Sequence, residues 1–441
     1  MKIIYKCLLT LFISTIFSQN YISRVENQLY DSNGNEVRLT GINWFGFETS
    51  LKIPHGLWIR DYLSMLQQIH NLGFNCIRLP WSNEIITSNV FVQVNTWGPD
   101  QYNGQQPMNE GLVDKTPMEA LDIIINAAGE IGLKVILDNH SRAADGYLNE
   151  QLWYTDSFSE EEWISDWLFL AERYADNDVV IGFDLNNEPH GISSWGGNFS
   201  TDWKLAAENC AIAIQEINPN VLIIIEGVEN YNGDGYWWGG NLIGAQENPI
   251  QITHMEKLIY SAHEYGPEVY PQSWFFEPDF PENMPFIWDN YFGYIMNENM
   301  GHILIGEFGI RDENSFDGIS GEWFDTFLLY MSEDYSWTFW CINPNSGDTG
   351  GILQDDWVSV HQWKLDYLTP YMDDPIDNSG LILGDTNGDG QINIIDIVLL
   401  VSFILGNEIP NENEFVLCDM NGDGSLDVVD VVILVNVILG G

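Results

Sequence analysis

Eight apolar runs, each short enough for one strand and separated by helix-patterned stretches, constrain this chain more than any other feature. They occupy residues 41–47, 75–81, 134–140, 180–186, 221–227, 257–263, 302–307 and 336–342. Nearly continuous apolar strands are the mark of a parallel sheet covered on both faces. Parallel neighbours need a long crossover between them, usually a helix, and the intervening segments supply it. Residues 60–72 carry Tyr62, Leu63, Leu66 and Ile69 at helical spacing, and residues 118–131 and 163–174 behave likewise. Pro117 stands where a helix can begin, and Gly73 and Gly132 stand where helices end. Strand and helix alternating eight times over about 330 residues predict an α/β fold, the (β/α)8 TIM barrel.

A barrel of this kind keeps its working residues at the C-terminal ends of the strands. Seven of the runs finish in or near a polar or aromatic group: Trp44, Arg78, His140, Asn187 with Glu188, Glu226, His263 and Glu307. The eighth carries Trp340. Position separates two carboxylates from the rest. Glu188 follows the fourth strand and precedes Pro189, which stops it; Glu307 ends the seventh. Strands four and seven stand across the mouth from each other, so the two carboxylates can face one sugar. Such a pair is the minimum equipment for cleaving a glycosidic bond, and a separation near 5 Å makes the reaction retaining. Asp184, inside the fourth strand, reads as structural.

The neighbours extend the constellation. His263 and Tyr265 lie on alternate positions of the sixth strand's end and face the same way. Tyr265 is placed to hydrogen-bond the attacking carboxylate and keep it ionised. His263 is placed to contact the other carboxylate or a sugar hydroxyl. Arg78 can orient Glu307 through a charged hydrogen bond. Asn187 can bind a sugar 2-hydroxyl, and Trp340 can floor a sugar ring. Taken singly, each has a plainer alternative in a salt bridge, a helix cap or barrel packing. Together, and with the other strand ends, they favour chemistry.

Composition narrows the setting. The 441 residues include 65 acidic and 15 basic ones, a formal charge of −50. A surface this acidic repels nucleic acid and anionic membranes. Lys2 and Lys6 flank the start of a short apolar run, residues 7–17, which Ser18 closes. That pattern reads as a secretory signal peptide over residues 1–18; it is too short for a lasting membrane anchor. A secreted, extracellular protein is expected. Cys7 would leave with the signal. Cys76, Cys210, Cys341 and Cys418 are expected as free buried thiols, Cys76 and Cys341 within strands, with no disulfide framework and no zinc spacing.

After Met372 the character changes. Residues 373–383 read as a linker, so the expected domains are 19–372 and 384–441. The second contains a duplication offset by 34 residues, each copy a loop D-x-N-x-D-G-x-x-[ND]-x-x-D running into an apolar helix. The first loop offers Asp385, Asn387, Asp389, Gln391 through its carbonyl, and Asp396; the second offers Asp419, Asn421, Asp423, Ser425 through its carbonyl, and Asp430. Oxygen ligands at this spacing suit Ca2+, and two ions are expected, one per loop. Ten acids and no Lys or Arg follow Gly384, so folding of this small all-α unit is expected to depend on the metal.

The motifs Asn187-Glu188-Pro189, Gly306-Glu307-Phe308-Gly309, Arg78-Leu79-Pro80, His140, His263-Glu264-Tyr265 and Trp340 stand in the order of glycoside hydrolase family 5. Residues 41–49, 56–62, 236–241 and 337–353 resemble its subfamily 1, mostly bacterial endo-β-1,4-glucanases. The resemblance covers about residues 22–372. It implies retaining hydrolysis of internal β-1,4 bonds in cellulose, with Glu307 as nucleophile and Glu188 as acid/base. It also implies a substrate cleft lined by Trp44, His140, Trp238, Gln272 and Trp340. Some relatives have cysteines near Ser50 and after His140 where this chain has none, and residues 141–149 diverge. The tail resembles a type I dockerin, the calcium module that docks enzymes on cohesin-bearing scaffolds. Its loop positions ten and eleven, Ile394-Ile395 and Val428-Val429, are unusually apolar, which leaves a divergent cohesin, surface attachment or a structural cap as uses. Two other functional readings share these residues: the same machinery acting on mannan, xyloglucan or mixed-linkage glucan, and a non-catalytic glycan-binding protein.

Overall fold

A computed structural model describes residues 20–332, 334–376, 384–387, 392–407, 410, 412–421 and 425–438. The proposed signal peptide, residues 377–383 of the expected linker, and the expected ligands Asp389, Gln391 and Asp423 lie outside them. The chain divides into two compact units.

The first unit is a closed barrel of eight parallel strands in sequence order. They are β1 Thr40–Asn43, β2 Cys76–Ser82, β3 Lys134–Ser141, β4 Val180–Asp184, β5 Leu222–Glu226, β6 Leu258–His263, β7 His302–Glu307 and β8 Ser336–Phe339. The helices that follow them in turn are α1 Tyr62–Asn71, α2 Pro117–Ile131, α3 Glu160–Arg173, α4 Trp203–Ile217, α5 Ile243–Glu247, α6 (helical Met284–Trp288, π-helical Asp289–Gly293, helical Tyr294–Asn297), α7 Ile319–Met331 and α8 Gln362–Leu368. All eight strands are buried along their whole length, as a parallel sheet lined inside and sheathed outside requires.

Helix starts follow their caps. Thr116 and Glu119 form a capping box ahead of Pro117, and Gly132 closes α2 at φ 99°. Ser159 and Glu162 form a second box, which starts α3 three residues before its apolar pattern does. The buried face of α1 differs from the expected one: Met65, Leu66 and Ile69 are buried with Ser64 and Gln68, while Tyr62 and Leu63 are half-buried. Gln68 is tolerated inside because its amide donates to the Val358 carbonyl at 2.8 Å and its oxygen accepts from Arg60 at 2.8 Å.

The barrel interior is built in layers. Its floor is apolar, with Cys76, Ile136, Ile181, Leu222, Ile224, Ile259 and Leu304 packed against Ile22, Leu29 and Leu39 from the N-terminal segment. Two residues beyond Cys76, Ile136 and Ile224, on the same face, stand Arg78, Asp138 and Glu226 of β2, β3 and β5, and Asp184 of β4 stands two beyond Gly182. The period of two therefore carries the interior from a greasy floor to a charged ceiling.

Two boundaries move. Ile376 completes the floor, Asn75 donates to the Asp374 carbonyl at 3.1 Å, and the Asp373 N–H donates to Thr40 at 3.1 Å. Residues 373–376, expected in the linker, thus pack on the barrel, because an apolar side chain at 376 has a floor to fill. Strand β8 stops at Phe339, so Cys341 and Ile342 lie beyond it. The apolar run continues there as buried loop, with Trp340 N–H on the Phe308 carbonyl at 2.7 Å. The four cysteines are free and buried.

The second unit contains α9 Ile394–Ile404, α10 Glu412–Cys418 and α11 Val428–Ile438. Leu400, Phe403, Cys418, Met420 and Leu434 form its core. Among the described residues, no helix is long and apolar enough to cross a membrane.

Candidate active site

Arg78 organises the mouth of the barrel. Fully buried, its guanidinium reaches side chains from five other strands or strand ends. It donates to Glu307 at 2.7 Å, Asp184 at 2.9 Å, Asn187 at 3.0 Å, Asn43 at 3.1 Å and Glu226 at 3.3 Å; Asp138 lies 3.1 Å away. A buried cation is tolerable only when paired and hydrogen-bonded, and this one is held charged by the acids around it. The planar fork lets one residue fix several carboxylates at once.

Glu188 and Glu307 converge in front of it. Single carboxylate oxygens of the two residues and a ring nitrogen of His263 all lie within 4.8 Å of one another. His263 Nδ1 is 2.9 Å from Glu188 and 3.7 Å from Glu307, while Nε2 is 3.3 Å from Glu226. The Tyr265 hydroxyl donates to Glu307 at 2.7 Å. Glu307 therefore receives two hydrogen bonds, one from a permanent cation, and Glu188 receives one from an imidazole.

The environments differ in a way that separates the two acids. Burial, with the Glu307 charge adding to it, pushes Glu188 up to about 7, against the opposing hydrogen bond from His263. Burial opposes charge on His263, but Glu226, Glu307 and Glu188 outweigh it and hold the imidazole protonated well above its usual range. Beside them, burial opposes charge on His140, but the Asp138 carboxylate at 2.6 Å lifts it to about 9. Three converging Glu–His–Glu donors could in number hold a metal; here a protonated imidazole supplies the positive charge between the carboxylates.

The backbone at Glu188 is itself unusual, in the left-handed region at φ 49°. Its N–H donates to Glu226 at 2.7 Å. That contact leaves no room on the other side: a side chain at Gly239, also at positive φ, would start 2.1 Å from the Glu226 carboxylate.

The aromatic residues divide. Trp340 is half-buried, with the near-parallel rings of Phe45 and His140 centred 5.6 and 5.7 Å from its own. Trp238 is 38% exposed and stacks on His190 at 3.8 Å, and His190 holds the Glu188 carbonyl at 2.7 Å. Gln272 is half-buried just before a short 3-10 turn, Ser273–Phe276. Trp44 corrects its expectation. It is fully buried, with its indole N–H on the His55 carbonyl at 3.0 Å, and offers no face to a ligand. Asn43 points into the site, so the next residue points away from it. Phe45 takes the place beside Trp340.

Sequence reasoning gave no role to Asp138, Glu226, His190 or Phe45. The first two had a legible signal, an acid within a barrel strand; the other two lie in loops with none. Asn187 was singled out, and its side-chain nitrogen is buried without a protein partner among the described residues.

In the second unit, Asp385, Asp396 and Asp430 are buried. Asp396 accepts from the Asn387 and Asn393 N–H groups at 3.2 and 2.7 Å. Asp430 accepts from Asp427 N–H at 2.8 Å, while its other oxygen is buried with no partner among the described residues. Buried carboxylates with an orphaned oxygen fit a cation. Asn387, Asp419, Asn421 and Ser425 belong to the same two loops. Ile394, Ile395, Val428 and Val429 are exposed.

Comparison with known proteins agrees with both halves. Residues 30–346 match the family described as cellulase (glycosyl hydrolase family 5), and residues 383–439 match the dockerin type I domain. An endoglucanase of Paenibacillus polymyxa is 42% identical over 79% of this chain and 86% of its own length. Endoglucanase G of Acetivibrio thermocellus is 36% identical over 83% of this chain and 75% of its own. Among solved structures, the cellotetraose complex of an endocellulase from Pyrococcus horikoshii superposes with a TM-score of 0.73 at 36% identity, over 80% of this chain and 99% of that one. The catalytic domain of the major endoglucanase of Xanthomonas campestris pv. campestris gives 0.73 at 37%, over the same shares. The chain belongs to glycosyl hydrolase family 5, as a glycoside hydrolase of the cellulase type that carries a C-terminal type I dockerin domain.

Proposed function

We propose that the protein is a secreted, retaining endo-β-1,4-glucanase that works by double displacement, with Glu307 as nucleophile and Glu188 as acid/base. One observation carries this reading: carboxylate oxygens of the two residues approach within 4.8 Å, the spacing of retaining rather than inverting enzymes. Glu307, aimed by Arg78 and Tyr265, attacks the anomeric carbon and expels the leaving oxygen. Glu188, held protonated near neutral pH by burial, gives that oxygen its proton. The same residue then takes a proton from water, which breaks the glycosyl–Glu307 bond. Asn187 turns its unpaired amide nitrogen to the sugar 2-hydroxyl. His263 holds Glu188. Trp340 and His140 floor the ring, and Trp238 with Gln272 lines the cleft beyond. Kinship with endoglucanases and an endocellulase bound to cellotetraose supports β-1,4-glucan as substrate.

The dockerin belongs to a calcium-binding class. One Ca2+ would be held by each loop, by Asp385, Asn387, Asp389, Gln391 and Asp396 in the first and Asp419, Asn421, Asp423, Ser425 and Asp430 in the second. The ion would neutralise carboxylates that the fold buries. The unit then docks a cohesin-like scaffold, which places the enzyme outside the cell.

Glu307→Gln abolishes turnover of carboxymethylcellulose, and the wild-type's first product from a cello-oligosaccharide is the β-anomer by proton NMR. Undiminished turnover by the variant, or an α-anomer first, overturns the mechanism.

A further inference from the structure

The aromatic contacts at the active centre do not stop at Trp340. Phe45 stacks on it, His55 meets Phe45 edge-on at 5.0 Å, and Trp58 meets His55 at 5.4 Å. Phe45, His55 and Trp58 all belong to the loop after β1, on the barrel face that carries the glutamates. Asn95, from the loop after β2, continues the row. Its side chain donates to the Trp58 carbonyl at 3.0 Å and accepts from the Trp97 N–H at 2.9 Å.

Trp97 is 83% exposed and makes no ring contact among the described residues. The loop beneath it is nevertheless tied down. Asp100, 2% exposed, accepts from Ser64 at 2.6 Å and faces Arg60 at 3.4 Å. Buried Asn109 donates to the Asn95 carbonyl at 3.0 Å. An indole left in water on a fixed loop buries nothing within its own chain. A flat apolar ring held in place in advance is what the apolar face of a pyranose stacks on, with little ordering cost on binding.

We propose that Trp97, with Trp58 inboard of it, forms a remote subsite that stacks one glucosyl ring of a long β-glucan chain extending from the cleavage point over the β1–β2 rim. The inference rests on the hydrolase reading for the identity of its ligand. It adds length selectivity: chains long enough to reach Trp97 bind more tightly than short ones.

The test is calorimetric binding to the full chain bearing Glu307→Gln, so that no hydrolysis is needed. Adding Trp97→Ala weakens cellohexaose by roughly three- to tenfold, the worth of one stacked ring, and leaves cellotriose unchanged. Trp97→Phe recovers part of the loss. Equal weakening of both sugars, or no change in either, overturns the subsite. So does a loss seen only on insoluble cellulose, which would make Trp97 a surface-adhesion group. Failure of the wild-type to cleave any cello-oligosaccharide counts against the catalytic reading alone.

Discussion

At the scale of single residues, the mouth of the barrel is a problem of buried charge. Asp138, Asp184, Glu188, Glu226 and Glu307 meet one guanidinium and two imidazoles. Their protonation is set by who touches whom. Burial raises Asp184 well above the usual carboxylate range, with Glu226 and Asp138 adding to it against Arg78. Burial also opposes charge on Asp138, but Arg78 and His140 hold it below that range. For Glu188 the sign of the pH effect follows directly. A general acid works only while protonated, so kcat/KM falls as pH rises through about 7. The His263 hydrogen bond favours the ionised form and lowers that value. His263→Ala therefore moves the alkaline limb of the kcat/KM profile to higher pH, besides lowering the rate. A limb that stays put, or moves down, shows that His263 does not act on Glu188. The contacts of Arg78 and Tyr265 with Glu307, and of His263 with Glu188, were legible because strand ends and alternation fix where these side chains point. Trp44 was not. Alternation turns it away once Asn43 faces the site, and a continuous apolar run does not show which of its alternate residues face inward.

At the scale of elements, local sequence and tertiary packing share the work. The two capping boxes decide where α2 and α3 begin, each satisfying N–H groups that a helix start leaves bare. Thr116→Ala removes one and costs about 1 kcal/mol, readable as a lower denaturant midpoint at unchanged slope; an unchanged midpoint would make the cap redundant. The eight strands were visible as apolar runs. Their exact ends were less so, as β8 shows: Cys341 and Ile342 remain apolar because the loop over the barrel is buried, not because the strand continues. The face of α1 was misread for a related reason. Gln68 looks solvent-facing by type, yet Arg60 and the Val358 carbonyl make it a satisfied interior group.

At the scale of the whole chain, two units follow different physics. The barrel is held by an apolar core that its own sequence supplies. The dockerin unit has a small core and buries Asp385, Asp396 and Asp430, which carries a cost that a bound cation offsets. A chelator therefore removes the dockerin's thermal transition and leaves both the barrel's transition and cellulose hydrolysis in place, by calorimetry and activity assay side by side. A dockerin transition indifferent to chelation would remove the calcium account. What the sequence determined alone is the periodic part: eight buried strands, the helices between them, a duplicated acidic loop, and two glutamates at strand ends. Those follow from local spacing, which one chain displays in full. The tertiary structure alone decided which acids share a cation, that Glu188 is poised near neutrality, that Phe45 and not Trp44 backs Trp340, and that a pinned loop lifts Trp97 into water. Arg78 and Glu307 lie 229 residues apart in sequence and 2.7 Å apart in space, and a pKa is fixed by the second of those separations.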